Sequence, residues 1–200
     1  MIDRSLRALG CLFVGILVAI LTLSHAQAAN PFTEARAATR LLSSKAVATT
    51  CSAVVIAPEI ALTAKHCASI PGLLVDNLPV DGVRAHPSED VAELTVPGLA
   101  CPCVKVGAVR PVLDETVLGV GFLYGQIPVT ARGEYLGQVV SPEGEHYGLA
   151  TLNVGPGMSG GGVFRVFVTG EVALVGIISG MTPHAGLCFY VEVSKDAPTW

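Results

Sequence analysis

The apolar residues of this chain come in short runs rich in Val, Ile and Thr, each cut by Gly, Pro or a polar turn. Thr49-Thr50-Cys51-Ser52-Ala53-Val54-Val55-Ile56 is one such run, stopped by Ala57-Pro58. Ile60-Ala61-Leu62-Thr63-Ala64 is the next and leads into Lys65-His66-Cys67. Asp90 to Val96, Thr116 to Gly121, Val139 to Val140, Gly148 to Leu152, Gly162 to Val168, Val172 to Ile178 and Phe189 to Val193 continue the series. Branched side chains fit a pleated strand, and runs this short are below helix length. Many short strands with frequent turns predict an all-β protein, a sandwich or a pair of barrels. The 22 glycines and 13 prolines supply the turns.

The first 28 residues read differently. Arg4 and Arg7 precede an apolar run, Ala8 to Leu23, and Ala26-Gln27-Ala28 then offers small residues at a cleavage site. This is the pattern of a secretory signal cut after Ala28, which predicts a secreted or periplasmic protein. The run falls short of the ~20 residues that cross a bilayer, so no stable membrane association is expected, although a retained signal would tether the chain. Asn30 to Lys45 is weakly patterned and is a pro-segment, a first strand or a flexible arm. The chain is thus divided into residues 1–28 as signal, 29–48 as arm or pro-segment, and 49–112 and 113–200 as two β units. The polar, Pro-containing stretch around Arg110-Pro111 marks their boundary. The net charge of -4, with no basic cluster, argues against nucleic acid as a partner. Beyond the signal there are five cysteines, Cys51, Cys67, Cys101, Cys103 and Cys188, so at least one thiol is left over from disulfide pairing.

Three clusters carry chemistry: Leu62 to Cys67, Asp90 to Leu94, and Gly155-Pro156-Gly157-Met158-Ser159-Gly160-Gly161. A serine hydroxyl attacks a carbonyl only when a base takes its proton, and a histidine base needs a carboxylate to fix its tautomer. The oxygen that becomes negative needs two backbone N–H donors. Ser159, His66 and Asp90 are the candidates for these roles, with Gly157 and Ser159 supplying the oxyanion donors. Asp76 and Asp81 compete with Asp90, but Asp76-Asn77 and Asp81-Gly82 are turn sequences.

These clusters resemble the boxes of the chymotrypsin-like (trypsin-fold) serine proteases. Leu62-Thr63-Ala64-Lys65-His66-Cys67 is similar to the family's Leu-Thr-Ala-Ala-His-Cys. Asp90-Val91-Ala92-Glu93-Leu94 is similar to Asp-Ile-Ala-Leu-Leu, and Gly157-Met158-Ser159-Gly160-Gly161 to Gly-Asp-Ser-Gly-Gly. Val175-Gly176-Ile177-Ile178-Ser179-Gly180 is similar to the segment beside the family's specificity pocket. The boxes occur in family order. The resemblance implies two packed six-stranded antiparallel β-barrels, with His66 and Asp90 on the first and Ser159 on the second. It implies a Cys51–Cys67 disulfide and support of Asp90 by Ser179. The implied activity is serine-type hydrolysis of protein or peptide substrates, without cofactor or metal. It further implies a substrate-binding set of Asn153, Ser179, Gly180 and Met181, with Asn153 at the pocket base and an uncharged residue of small or medium size preferred before the cut bond (P1).

The chain also departs from the family pattern. Met158 replaces the acid that, in trypsin itself, pairs with a newly cut N-terminal amine, and no Ile-Val-Gly-Gly start is present. A bacterial-type branch that matures without amine insertion fits both absences. Lys65 replaces a small residue beside His66 and is expected to point to solvent. His146 and His184 are expected in loops or on the surface. Some viral members hold zinc with a Cys-x-Cys pair like Cys101-Pro102-Cys103, but Arg165 stands where a further ligand would be. The pairing of Cys101, Cys103 and Cys188 stays open. Two other functions remain: an inactive protease-like binding protein, and an esterase on the same scaffold.

Overall fold

The structure, a computed structural model, describes residues 30–182 and 186–193. The expected signal at 1–28, His184 and the end of the second β unit at 194–200 lie outside the described residues. Among the described residues, helix α1 (Pro31–Ala38) comes first. Asn30 Oδ1 accepts from the Phe32 N–H at 3.1 Å, and Pro31 occupies the first turn, where no donor is required. Ala35 and Ala38 are fully buried, and such small side chains let the helix lie close to the strands beneath it.

Seven short strands form the first sheet: β1 (Thr39–Ser44), β2 (Thr50–Ala57), β3 (Ile60–Thr63), β4 (Leu73–Val75), β5 (Leu78–Pro79), β6 (Gly82–Ala85) and β7 (Ala92–Thr95). Their order is β5-β4-β1-β2-β3-β7-β6, with every neighbouring pair antiparallel. Six strands form the second sheet: β8 (Thr116–Leu123), β9 (Ile127–Val140), β10 (His146–Ala150), β11 (Gly162–Val166), β12 (Val172–Met181) and β13 (Cys188–Glu192). They close into a barrel in the order β10-β13-β12-β11-β8-β9.

The protein is therefore all-β with two packed β units, and the second is the six-stranded barrel expected. The first differs in detail: it is a curled seven-stranded half-barrel. Its edge strands cannot close it. β5 is two residues long and ends on Pro79, which has no N–H to donate. Asp76 and Asn77 make the two-residue turn between β4 and β5, both at positive φ (46° and 71°), so Asp76 is a turn residue as its sequence suggests.

Residues 39–44 form a strand paired on both sides, by β2 and by β4. The stretch Asn30 to Lys45 thus contains a first strand, preceded by α1. Only Thr39 and Leu42 of β1 are buried, which is why its pattern is faint. β9 was legible only at its last two residues, since of its 14 residues only Tyr135 is buried.

One apolar cluster spans both units, joining Leu42, Val54, Leu62 and Leu94 to Leu118, Val120, Phe164 and Ile177. A second fills the barrel around Leu152, Met158, Ile178 and Tyr190. Cys51 on β2 is bonded to Cys67, and Cys101 to Cys103. Cys188 is a free, buried thiol whose pKa burial pushes up to about 12, so it stays protonated and unreactive. Among the described residues no helix is long and apolar enough to cross a membrane.

The Cys51–Cys67 bond closes a loop with a sequence separation of 16. Replacing both cysteines by alanine should lower stability by about 3 kcal/mol, the chain-entropy value for a loop of this size. Urea unfolding followed by fluorescence checks this.

Candidate active site

His66 lies in α2 (Lys65–Ala68), a single turn that starts directly after β3. Its neighbour Cys67 is tied to Cys51, so the turn is anchored to the interior of the first sheet. Asp90 ends the loop between β6 and β7. Within that loop His86 Nδ1 accepts from the Glu89 N–H at 2.9 Å. Lys65 Nζ donates to the Pro87 carbonyl at 3.3 Å, binding α2 to the same loop.

Asp90 receives three donors. Oδ1 accepts from the His66 backbone N–H at 2.9 Å; Oδ2 accepts from His66 Nδ1 at 2.8 Å and from Ser179 Oγ at 2.5 Å. With its Nδ1 proton directed to the carboxylate, the imidazole has a bare Nε2 free to act as base. Burial alone would raise the Asp90 pKa, but the hydrogen bonds from the His66 ring, Ser179 and the His66 backbone, with the imidazole charge, together hold it below its ordinary value. The Asp90 side chain is 14% exposed and that of His66 50%, so the carboxylate is shielded while the imidazole is open to solvent.

Ser159 sits in the loop between β10 and β11, and the consecutive peptide planes around it are held by hydrogen bonds. The Pro156 carbonyl accepts from Tyr124 N–H at 2.7 Å, and the Gly157 carbonyl from Ser52 Oγ at 2.9 Å. The Met158 carbonyl accepts from Gly161 N–H at 2.9 Å, and the Ser159 carbonyl from Ser52 N–H at 2.7 Å. Met158 N–H donates to Gly155 O and Gly160 N–H to Ile178 O. Among the described residues, the N–H groups of Gly157 and Ser159 donate to no protein group. They are the two donors expected to line an oxyanion hole. Glycine is required at 157 and 160, where φ is +89° and +81°. A Cβ at 157 would strike the Phe122 carbonyl, and one at 160 the Ser52 carbonyl and Thr63 Oγ1.

Ser179 brings the candidates together. Its Oγ donates to Asp90, while its carbonyl lies 3.5 Å from Ser159 Oγ as an acceptor. No hydrogen bond joins Ser159 Oγ to His66 in this structure; such bonds between a nucleophile and a base are often long without substrate. Two clefts meet at Gly180 and Met181. One, of about 180 Å³ beside Ser159, is lined by Val154, Pro156, Ile178 and Met181. The other, of about 500 Å³, runs past Ser179 and is walled by Val139, Pro142, Tyr147 and Phe189.

Asn153 is the residue expected at the base of the specificity pocket. Asn153 is exposed and does not line the cleft; Val154, one residue later, is buried and does. Gly180 and Met181 line both clefts, and Ser179 lines the larger one. His146 is exposed at the start of β10, where its N–H donates to Glu89 Oε2 at 3.4 Å. Arg165 is paired with Glu115 at 2.6 Å. Cys101 and Cys103 are bonded to each other, which answers the pairing left open by the sequence. Sequence reasoning passed over Ser52 and Thr63, both fully buried, with Thr63 Oγ1 donating to Ser52 O at 2.7 Å. A polar residue beside Cys51 was the available signal.

The lowered pKa makes ionised Asp90 stabilising above its unfolded value of about 3.9. That contribution is lost as pH falls through the folded value. Asp90→Asn should therefore show a flatter decline in Tm than the wild type between about pH 5 and pH 2, measured by scanning calorimetry.

No protein-family model matches the chain, and no curated protein matches its sequence. Solved structures do match its fold. The crystal structure of the Rv3671c protease from M. tuberculosis in its active form superposes with a TM-score of 0.69 at 19% identity, covering 88% of this chain and 85% of that one. An inactive form of the same protease gives 0.70 at 20% identity, over 85% of this chain and 91% of that one. The HtrA-type protease AlgW with a tripeptide gives 0.67 at 21% identity, over 84% of this chain and 60% of that one. The half-barrel and barrel described above are thus the fold of the trypsin-like serine proteases.

Proposed function

We propose that the chain is a serine endopeptidase that hydrolyses peptide bonds through an acyl-enzyme. The observation that carries this reading is the Asp90 carboxylate receiving His66 Nδ1 at 2.8 Å within reach of a loop that leaves the Gly157 and Ser159 N–H groups unpaired beside a serine hydroxyl. Ser159 Oγ attacks the substrate carbonyl carbon and its proton passes to His66 Nε2. The oxyanion is held by Gly157 and Ser159 N–H. Collapse breaks the C–N bond as His66 returns the proton to the leaving amine. Water, deprotonated by His66, then attacks the ester and frees Ser159. Asp90 keeps its negative charge throughout and stabilises the imidazolium.

Peptides as substrates are supported by the AlgW structures, which hold a tripeptide and a decapeptide. The cleft beside Ser159 has no charged side chain in its lining, which supports a small aliphatic P1 residue. Met158 is buried in the barrel core and has no charge to offer an amine, which supports the branch that matures without N-terminal insertion. Export with cleavage after Ala28 is part of the proposal; two disulfides suit an oxidising compartment. A second reading, an inactive protease-like binding protein, draws on Ser159 Oγ facing the Ser179 carbonyl rather than His66.

A fluorophosphonate probe should label the wild type and fail to label Ser159→Ala, and peptide hydrolysis by Ser159→Ala or His66→Ala should fall by about 10⁴-fold or more. An unlabelled wild type would favour the binding protein. In a peptide library, cleavage should concentrate after small aliphatic residues; a profile dominated by Arg or Lys would overturn the P1 reading.

A further inference from the structure

We propose that Ser52 is a positioning residue whose hydroxyl holds the oxyanion loop in its working shape, in place of an acid–amine pair. The inference rests on the peptidase reading above. Ser52 is fully buried in β2, where its backbone pairs with Leu41 of β1. The ladder does not use its hydroxyl. That group reaches across to the barrel instead, donating to the Gly157 carbonyl at 2.9 Å and accepting from the Phe122 N–H at 2.8 Å. Its own N–H donates to the Ser159 carbonyl at 2.7 Å. One residue of the first sheet therefore grips the loop on both sides of Met158.

The grip matters because of what it restrains. Gly157 is at φ +89° with no Cβ, so little besides hydrogen bonding opposes rotation of the Gly157–Met158 peptide. Among the described residues, the only side chain bonded to that peptide's carbonyl is Ser52. That peptide lies between the Gly157 and Ser159 N–H groups, so were it to turn over, the chain linking them would change course and the two donors would no longer converge on the point where an oxyanion forms. Met158 cannot oppose this as a charged residue would. Its thioether is apolar, and it packs in the barrel core with Leu152 and Ile178. Thr63 Oγ1, bonded to the Ser52 carbonyl at 2.7 Å, in turn fixes the backbone from which the hydroxyl projects.

The test uses the full chain carrying Ser52→Ala, Ser52→Thr and Ser52→Val. Valine has the shape of threonine without the hydroxyl, so this pair remains informative if the alanine variant fails to fold. Removing one oxyanion donor outright costs about 10²–10³ in kcat; a donor that is present but misaimed should cost about 10- to 100-fold. Ser52→Ala and Ser52→Val should lose that much kcat, and the same factor in fluorophosphonate labelling rate, with KM unchanged. Affinity for a peptide aldehyde, which forms an oxyanion on Ser159, should weaken in step. Ser52→Thr should restore all three readouts. Wild-type kcat in Ser52→Val, or a loss that Ser52→Thr shares, overturns the proposal and leaves the peptidase reading standing. A wild type that the probe does not label overturns that reading, and this inference with it.

Discussion

A site divided between two β units works only if the units hold a fixed register, and here the seam between β2 and the Ser159 loop provides it. The Ser52 N–H to Ser159 carbonyl bond of 2.7 Å, the Ser52 hydroxyl to the Gly157 carbonyl, and Thr63 Oγ1 to the Ser52 carbonyl form one buried polar cluster. It lies beside an apolar core shared by both units. Hydrogen bonds in such surroundings are strengthened by the low dielectric, and leaving any of them unmade is costly. The core supplies attraction without direction; the seam supplies direction. Glycine at 160 is a consequence, because the Ser52 carbonyl and Thr63 Oγ1 of the first unit leave no room for a Cβ, while at 157 the Phe122 carbonyl of the barrel itself does so.

The electrostatics of the site follow from the same closeness. Asp90 comes from the first unit and Ser179 from the second, yet they share a hydrogen bond of 2.5 Å. Three donors outweigh the burial that would otherwise favour a neutral Asp90. A carboxylate kept ionised in this way aligns the imidazole and fixes its tautomer. The Cys51–Cys67 bond works to the same end covalently, by pinning the turn that carries His66 to the strand that carries Ser52.

Much of this was legible in the sequence because it is local. A histidine flanked by Cys67 after a β run, a serine among glycines, and an aspartate opening another β run are patterns of a few residues each. What is faint in the sequence is whatever depends on a partner strand. β1 buries only Thr39 and Leu42, and β9 only Tyr135, so neither shows a strong alternation. Val154 and not Asn153 lines the cleft beside Ser159, and spacing from Ser159 does not reveal which of two adjacent side chains faces it.

The sequence by itself determined the residue types and the fold class: short branched runs, glycine where φ must be positive, and a chemically coherent set in His66, Asp90 and Ser159. Only the tertiary structure decided how many strands each unit holds and that the first stays open at β5 and β6. It alone decided that Cys101 pairs with Cys103 and that Val154 lines the cleft. It alone decided that Ser52 touches a loop far along the chain. Local patterning specifies what a segment is. Which atoms of distant segments meet depends on packing and register, and those are settled when the two units close on a common core.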